Sequence, residues 1–128
     1  MPENPIYALA ISPHPFDNDW GMAGTVARWK LEGKEVVYVI CTNGDKASSN
    51  PGWKAVDLAR TREAEQLAAA YVLGIKEVIF LRYPDLGLEY TPEFRNEASH
   101  DCECSAPVIA RTSFFYFFLN QKQPQLYF

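Results

Sequence analysis

Cysteine and histidine are scarce in this chain. There are three cysteines, Cys41, Cys102 and Cys104, and two histidines, His14 and His100. An odd number of thiols, two of them one residue apart, argues against a disulfide framework and fits a reducing cytoplasm. No run of about 18 apolar residues is present, so no membrane span is expected. No basic amino-terminal stretch leads into a small-residue cleavage site, so no signal peptide is expected. Lys and Arg number 12 against 16 Asp and Glu, a net charge of −4. With no basic cluster on top of that balance, no nucleic-acid partner is expected. What is there is ordinary for a globular domain: 128 residues, 48% hydrophobic and 22% charged, enough for one core.

The apolar runs alternate in kind. Residues 6–11 read as a strand buried on both faces. Residues 20–32 carry a helical stripe at Met22, Ala23, Val26 and Ala27, and Gly33 stops it. "EVVYVIC", 35–41, is a β-branched strand, and "TNGDKASSNPG", 42–52, is a loop. A helix is expected over 55–73, with Ala64, Leu67, Ala68, Tyr71 and Val72 as its buried face and Gly74 as its cap. "EVIFL", 77–81, is a third strand. Strand, helix, strand, helix, strand with right-handed crossovers implies a Rossmann-like three-layer αβα fold with a mainly parallel sheet. "SPHPFDND", "TNGD" and "RYPD" then lie together at the carboxyl ends of the strands, where such sheets bind ligands. "ASHDCECSAPVIART" has no clear period. The final "SFFYFFLNQKQPQLYF" is densely aromatic, short for a membrane span, and reads as a buried strand or an aggregation-prone segment.

The first of those clusters is the most informative. Imidazole nitrogen and carboxylate oxygen are ordinary zinc ligands, and Pro13 and Pro15 stiffen the turn that carries His14 and Asp17. The bland alternative is that Asp17 caps the next helix while His14 packs on the loop. Arg62 has its own bland alternative, a solvated pair with Glu65 three residues on. Asn43 and Asp45 suit sugar hydroxyls, but a turn role comes first.

The motifs in order settle the comparison: the His-Pro-x-Asp turn at His14 to Asp17, the pair Gly24 and Thr25, Thr42-Asn43-Gly44, the Arg-x-x-Glu helix of Arg62 and Glu65 that ends in Leu73-Gly74, and Tyr83-Pro84-Asp85. Together they resemble the LmbE-like or PIG-L deacetylase family over about residues 6–97. The resemblance implies a zinc-dependent hydrolase that removes acetyl groups from N-acetylglucosamine-type sugars, sugar conjugates or related amides, and often an oligomer, here a homo-oligomer. It implies His14 and Asp17 as two zinc ligands, and Arg62, with Asn43, on the substrate side. Asp85 is expected to organise its loop rather than to take part in the chemistry.

Two departures from the family pattern stand out. The position of the general base, an aspartate in the family motif, is Phe16, which cannot accept a proton; Asp19, two residues beyond Asp17, is the substitute to consider. The third zinc ligand of the family is a downstream histidine, and nothing around His100 matches its motif; Cys102 and Cys104 are the other donors at hand. The expectation is therefore a deacetylase-type α/β portion over 1–97 and a divergent tail over 98–128, from truncation or a shifted reading frame. The alternative function is a non-catalytic sugar- or nucleotide-binding α/β module. A third reading makes the aromatic tail a partner-binding surface.

Overall fold

A computed structural model describes residues 6–89, 91–100 and 108–111. Seven elements follow one another: β1 (Ile6–Ser12), α1 (Asp17–Leu31), β2 (Glu35–Thr42), α2 (Ala55–Leu73), β3 (Glu77–Tyr83), α3 (Pro92–His100) and β4 (Val108–Arg111). The strands form one parallel sheet in the order β3-β2-β1-β4. The chain first steps outward from β1 to β2 to β3, then crosses back to lay β4 on the other side of β1. That reversal puts helices on both faces and places the switch point, the crevice where α/β sheets take ligands, at the carboxyl ends of β1 and β4.

The two continuous apolar strands do fill both faces. Ala8, Ala10, Val36, Tyr38 and Ile40 pack with Val26 of α1, while Met22, Trp29, Leu73 and Ile75 lean on them from the same side. Leu9, Ile11, Val37, Val39 and Cys41 point the other way, against Leu88 and Phe94 of α3. The alternation of neighbours along each strand is the period of two that a sheet imposes. Cys41 is a buried free thiol.

Three expectations change. α1 begins at Asp17, three residues before the expected start at Trp20, because the Trp20 amide already donates to the Phe16 carbonyl (2.9 Å). Phe16 sits at the N-cap with φ 76°, a left-handed backbone that a bulky residue adopts only when its surroundings hold it there. The second change is the orientation of α2. Its buried residues are Leu58, Gln66 and Ala70, whereas Leu67 (51%), Tyr71 (89%) and Val72 (84%) are exposed. Ala64 and Ala68 are exposed with them. Steps of four residues carry the inward stripe from Leu58 through the half-buried Arg62 to Gln66 and Ala70. The helix thus turns its two polar anchors inward and its most apolar stripe outward. The third change is the unassigned stretch before the tail, which supplies the end of α3 and the strand β4, paired with β1 through Ala8 and Val108 to Ile11 and Arg111. Cys102, Cys104, the side chain of His100 and the aromatic tail lie outside the described residues.

Candidate functional site

Ser12 ends β1, and the next two prolines, Pro13 and Pro15, are fully buried. The Thr42 amide donates to the Pro13 carbonyl (2.8 Å), which ties the turn to the end of β2. The His14 amide donates to Asp17 Oδ2 (3.1 Å), so Asp17 braces the turn that it follows. From α2, Arg62 donates to the carbonyls of Pro15 (3.0 Å) and Gly44 (3.1 Å), and its guanidinium lies over the Phe16 ring. Gly44 has φ +64°, and a Cβ there would overlap that guanidinium, so glycine is required at this point. Arg62 therefore joins the His14 turn to the loop after β2, with backbone carbonyls as its partners rather than Glu65.

His14 is held from both ends. Its Nδ1 lies 3.1 Å from Asp17 Oδ2 and its Nε2 lies 2.9 Å from Asp85 Oδ1. The hydrogen bond to Asp17 and the Asp85 charge beyond it raise the imidazole pKa above its ordinary value, against an opposing effect of burial. Asp85 is itself buried and fixed. Its Oδ1 accepts the Leu86 amide (2.9 Å), and its own amide donates to Asp45 Oδ1 (3.1 Å). The Asp45 amide in turn donates to Asn43 Oδ1 (3.2 Å), the turn role weighed for Asn43. The ends of β1, β2 and β3 are thus knitted into one polar edge.

Asp19 belongs to different surroundings. Gln66 Nε2 donates to its Oδ2 (3.0 Å), while Gln66 Oε1 accepts the Phe16 amide (2.7 Å). Burial raises the Asp19 pKa, and burial beside that carboxylate pushes the Tyr38 hydroxyl up as well. Asn18, next to it, is buried and donates to the Ala10 carbonyl (3.1 Å). The substitute base suggested by sequence proximity is therefore engaged between α1 and α2, where its described hydrogen-bond partner is Gln66 rather than His14.

Among the described residues, no group of three or more His, Cys, Asp or Glu is arranged to hold a metal ion. The His14, Asp17 and Asp85 cluster shows why: the two carboxylates meet opposite ends of one ring and cannot share an ion with it. His14 and Asp17 present the two donor types that zinc takes, side by side. Two donors about 2.0–2.2 Å from one tetrahedral ion stand about 3.3–3.6 Å apart. Nδ1 and Oδ2 stand 3.1 Å apart, a hydrogen-bond separation that has only to widen slightly for an ion to replace the proton. The structure brings His14 and Asp17 together, and sequence reasoning missed Asp85 as the partner of the same histidine. Its signal was position alone, a carboxylate at the end of a neighbouring strand. Gln66 carried no signal.

Comparison with known proteins gives the family. Residues 9–111 match the family PIG-L: GlcNAc-PI de-N-acetylase. The chain is 35% identical over 89 residues to the diacetylchitobiose deacetylase of Thermococcus kodakarensis, covering 70% of this chain and 33% of that protein. It is 32% identical over 91 residues to a probable N-acetyl-α-D-glucosaminyl L-malate deacetylase 2 of Bacillus anthracis, covering 69% and 40%. Among solved structures, the N,N′-diacetylchitobiose deacetylase of Pyrococcus horikoshii superposes with a TM-score of 0.69 at 35% identity, over 71% of this chain and 34% of that one. Three-layer α/β proteins with a parallel sheet and a polar strand-end crevice form a broad class. Within it, this chain belongs to the PIG-L family. The family match runs to 111, through β4, and the chain spans 33–40% of the length of these relatives. No helix among the described residues is long and apolar enough to cross a membrane.

Proposed function

We propose that this chain carries the metal-binding part of an N-deacetylase site for N-acetylglucosamine-type amino sugars, with His14 and Asp17 as two zinc ligands. The observation that supports it is the 3.1 Å approach of His14 Nδ1 to Asp17 Oδ2 at the carboxyl edge of the sheet, on a turn held from three sides. Zinc bound there would polarise an acetamide carbonyl and lower the pKa of water. The protein's own contribution is positional. Arg62 fixes the His14 turn against the Gly44 loop, and Asn43, next to Gly44, is the residue for sugar hydroxyls, with its Oδ1 held by the Asp45 amide. Phe16 occupies the position of the family's base and holds no proton acceptor, so proton transfer limits turnover in this reading. Asp19 is the next carboxylate in sequence after the ligand Asp17, and it serves only if it leaves Gln66.

The test is zinc uptake combined with acetate release from N-acetylglucosamine and diacetylchitobiose. Zinc bound by the wild type, slow acetate release and faster release by Phe16→Asp support the reading. Loss of the slow release in Asp19→Asn assigns Asp19 the proton. The residue at Phe16 also favours a second reading, a non-catalytic sugar-binding module. Sugar binding with no acetate release from either the wild type or Phe16→Asp identifies that module. A cytoplasmic location and a homo-oligomer belong to the same proposal. The exposed Leu67, Tyr71 and Val72 support the homo-oligomer, and light scattering at two concentrations tests it.

A further inference from the structure

Asp85 does more in this structure than shape its loop. We infer that it is a positioning residue for the metal: its carboxylate accepts the hydrogen bond of His14 Nε2–H and so leaves the Nδ1 lone pair for the ion beside Asp17. This rests on the reading of His14 as a metal ligand.

Geometry carries the inference. The 2.9 Å contact from Nε2 to Asp85 Oδ1 and the 3.1 Å contact from Nδ1 to Asp17 Oδ2 lie at opposite ends of the ring. Whichever nitrogen faces the ion, the other needs an acceptor, and a ligating histidine whose far N–H meets a carboxylate has its tautomer and orientation fixed. Asp17 shares a turn with His14 and stands at the corner of the site, so Asp85 is the acceptor behind the ring. Asp85 is also suited to the task because it cannot swing. Its side chain is 8% exposed. Its Oδ1 receives the Leu86 amide, at a residue with φ 63°, and its backbone amide is anchored on Asp45. A fixed acceptor on β3's loop thus orients a donor on β1's loop, 71 residues away in sequence.

The experiment measures two quantities on the full chain. Zinc affinity is read by competition with a chromophoric chelator, and the His14 tautomer by nitrogen-15 NMR at about pH 9, where the free imidazole is neutral. His14→Ala assigns the signal, since His100 is the other histidine. The expected result is a fall in zinc affinity of about 10–100-fold for Asp85→Ala, and a shift of the His14 ring away from the Nε2–H tautomer. Asp85→Asn keeps an acceptor oxygen and loses the charge, so its affinity falls less while the tautomer persists. That variant carries the test should Asp85→Ala fail to fold. Unchanged affinity and tautomer in both variants, with only a lower melting temperature, would reduce Asp85 to a brace for Leu86 and overturn the inference. If the wild type binds no zinc, the metal reading fails separately. The tautomer then still decides whether Asp85 fixes the ring.

Discussion

Asp17 and Asp19 stand two residues apart on the first turn of α1 and have opposite surroundings. Asp17 faces the strand-end crevice with His14, where both side chains are partly open to solvent at 21% and 30%. Asp19, half-buried, turns to Gln66 on α2. A helix rotates about 100° per residue, so a two-residue step turns a side chain about 200° to the other face. Closeness along the chain therefore says little about membership of the site once the chain has entered a helix. The same polar motif feeds two networks, one at the strand ends with His14 and Asp85, the other between α1 and α2 with Gln66.

Substitutions that separate the two networks sharpen this contrast. The largest effect is expected for His14→Ala and Asp17→Ala, which abolish zinc uptake while circular dichroism shows the fold retained. Gln66→Ala is the counterpart between α1 and α2. It leaves the half-buried Asp19 carboxylate without its donor and frees the Phe16 amide, a cost of about 1–3 kcal/mol in urea denaturation. An equal loss of stability from His14→Ala would break the distinction. Gly44→Ala tests the Arg62 link between the loops and is expected to cost about 1–3 kcal/mol, because a left-handed backbone and a displaced guanidinium add up. Asp19→Asn is expected to change stability by less than about 1 kcal/mol, since the amide oxygen still accepts from Gln66 and the desolvated charge is gone. The smallest effect is that of pH on the metal-free protein. His14 has a folded pKa above its unfolded value of 6.5, so its contribution is complete below that pH and is lost as pH rises through the raised value. Thermal melts between about pH 6 and 9 check this, and the slope should vanish in His14→Ala.

Much of the fold was legible because β1 and β2 are unbroken apolar runs, which only a sheet covered on both faces accommodates. The strand-end position of "SPHPFDND", "TNGD" and "RYPD" followed from that, as did the pairing of His14 with Asp17. The orientation of α2 did not follow. It has apolar residues on two sides, and the inward side is chosen by what Arg62 and Gln66 can bond to, which periodicity does not register. Asp85 was visible as a residue but not as the partner of His14, because a contact across two loops depends on how three strands are ordered. α3 and β4 were illegible for a simpler reason. Among the described side chains of the helix Phe94 is the buried one, and the strand has four residues, too few for a period to emerge.

The most direct test is zinc content by elemental analysis of the purified chain, run beside His14→Ala and Asp19→Asn. The account predicts about one zinc per chain in the wild type and in Asp19→Asn, and none in His14→Ala. Zinc content that is indifferent to His14, or that falls with Asp19 instead, would contradict it.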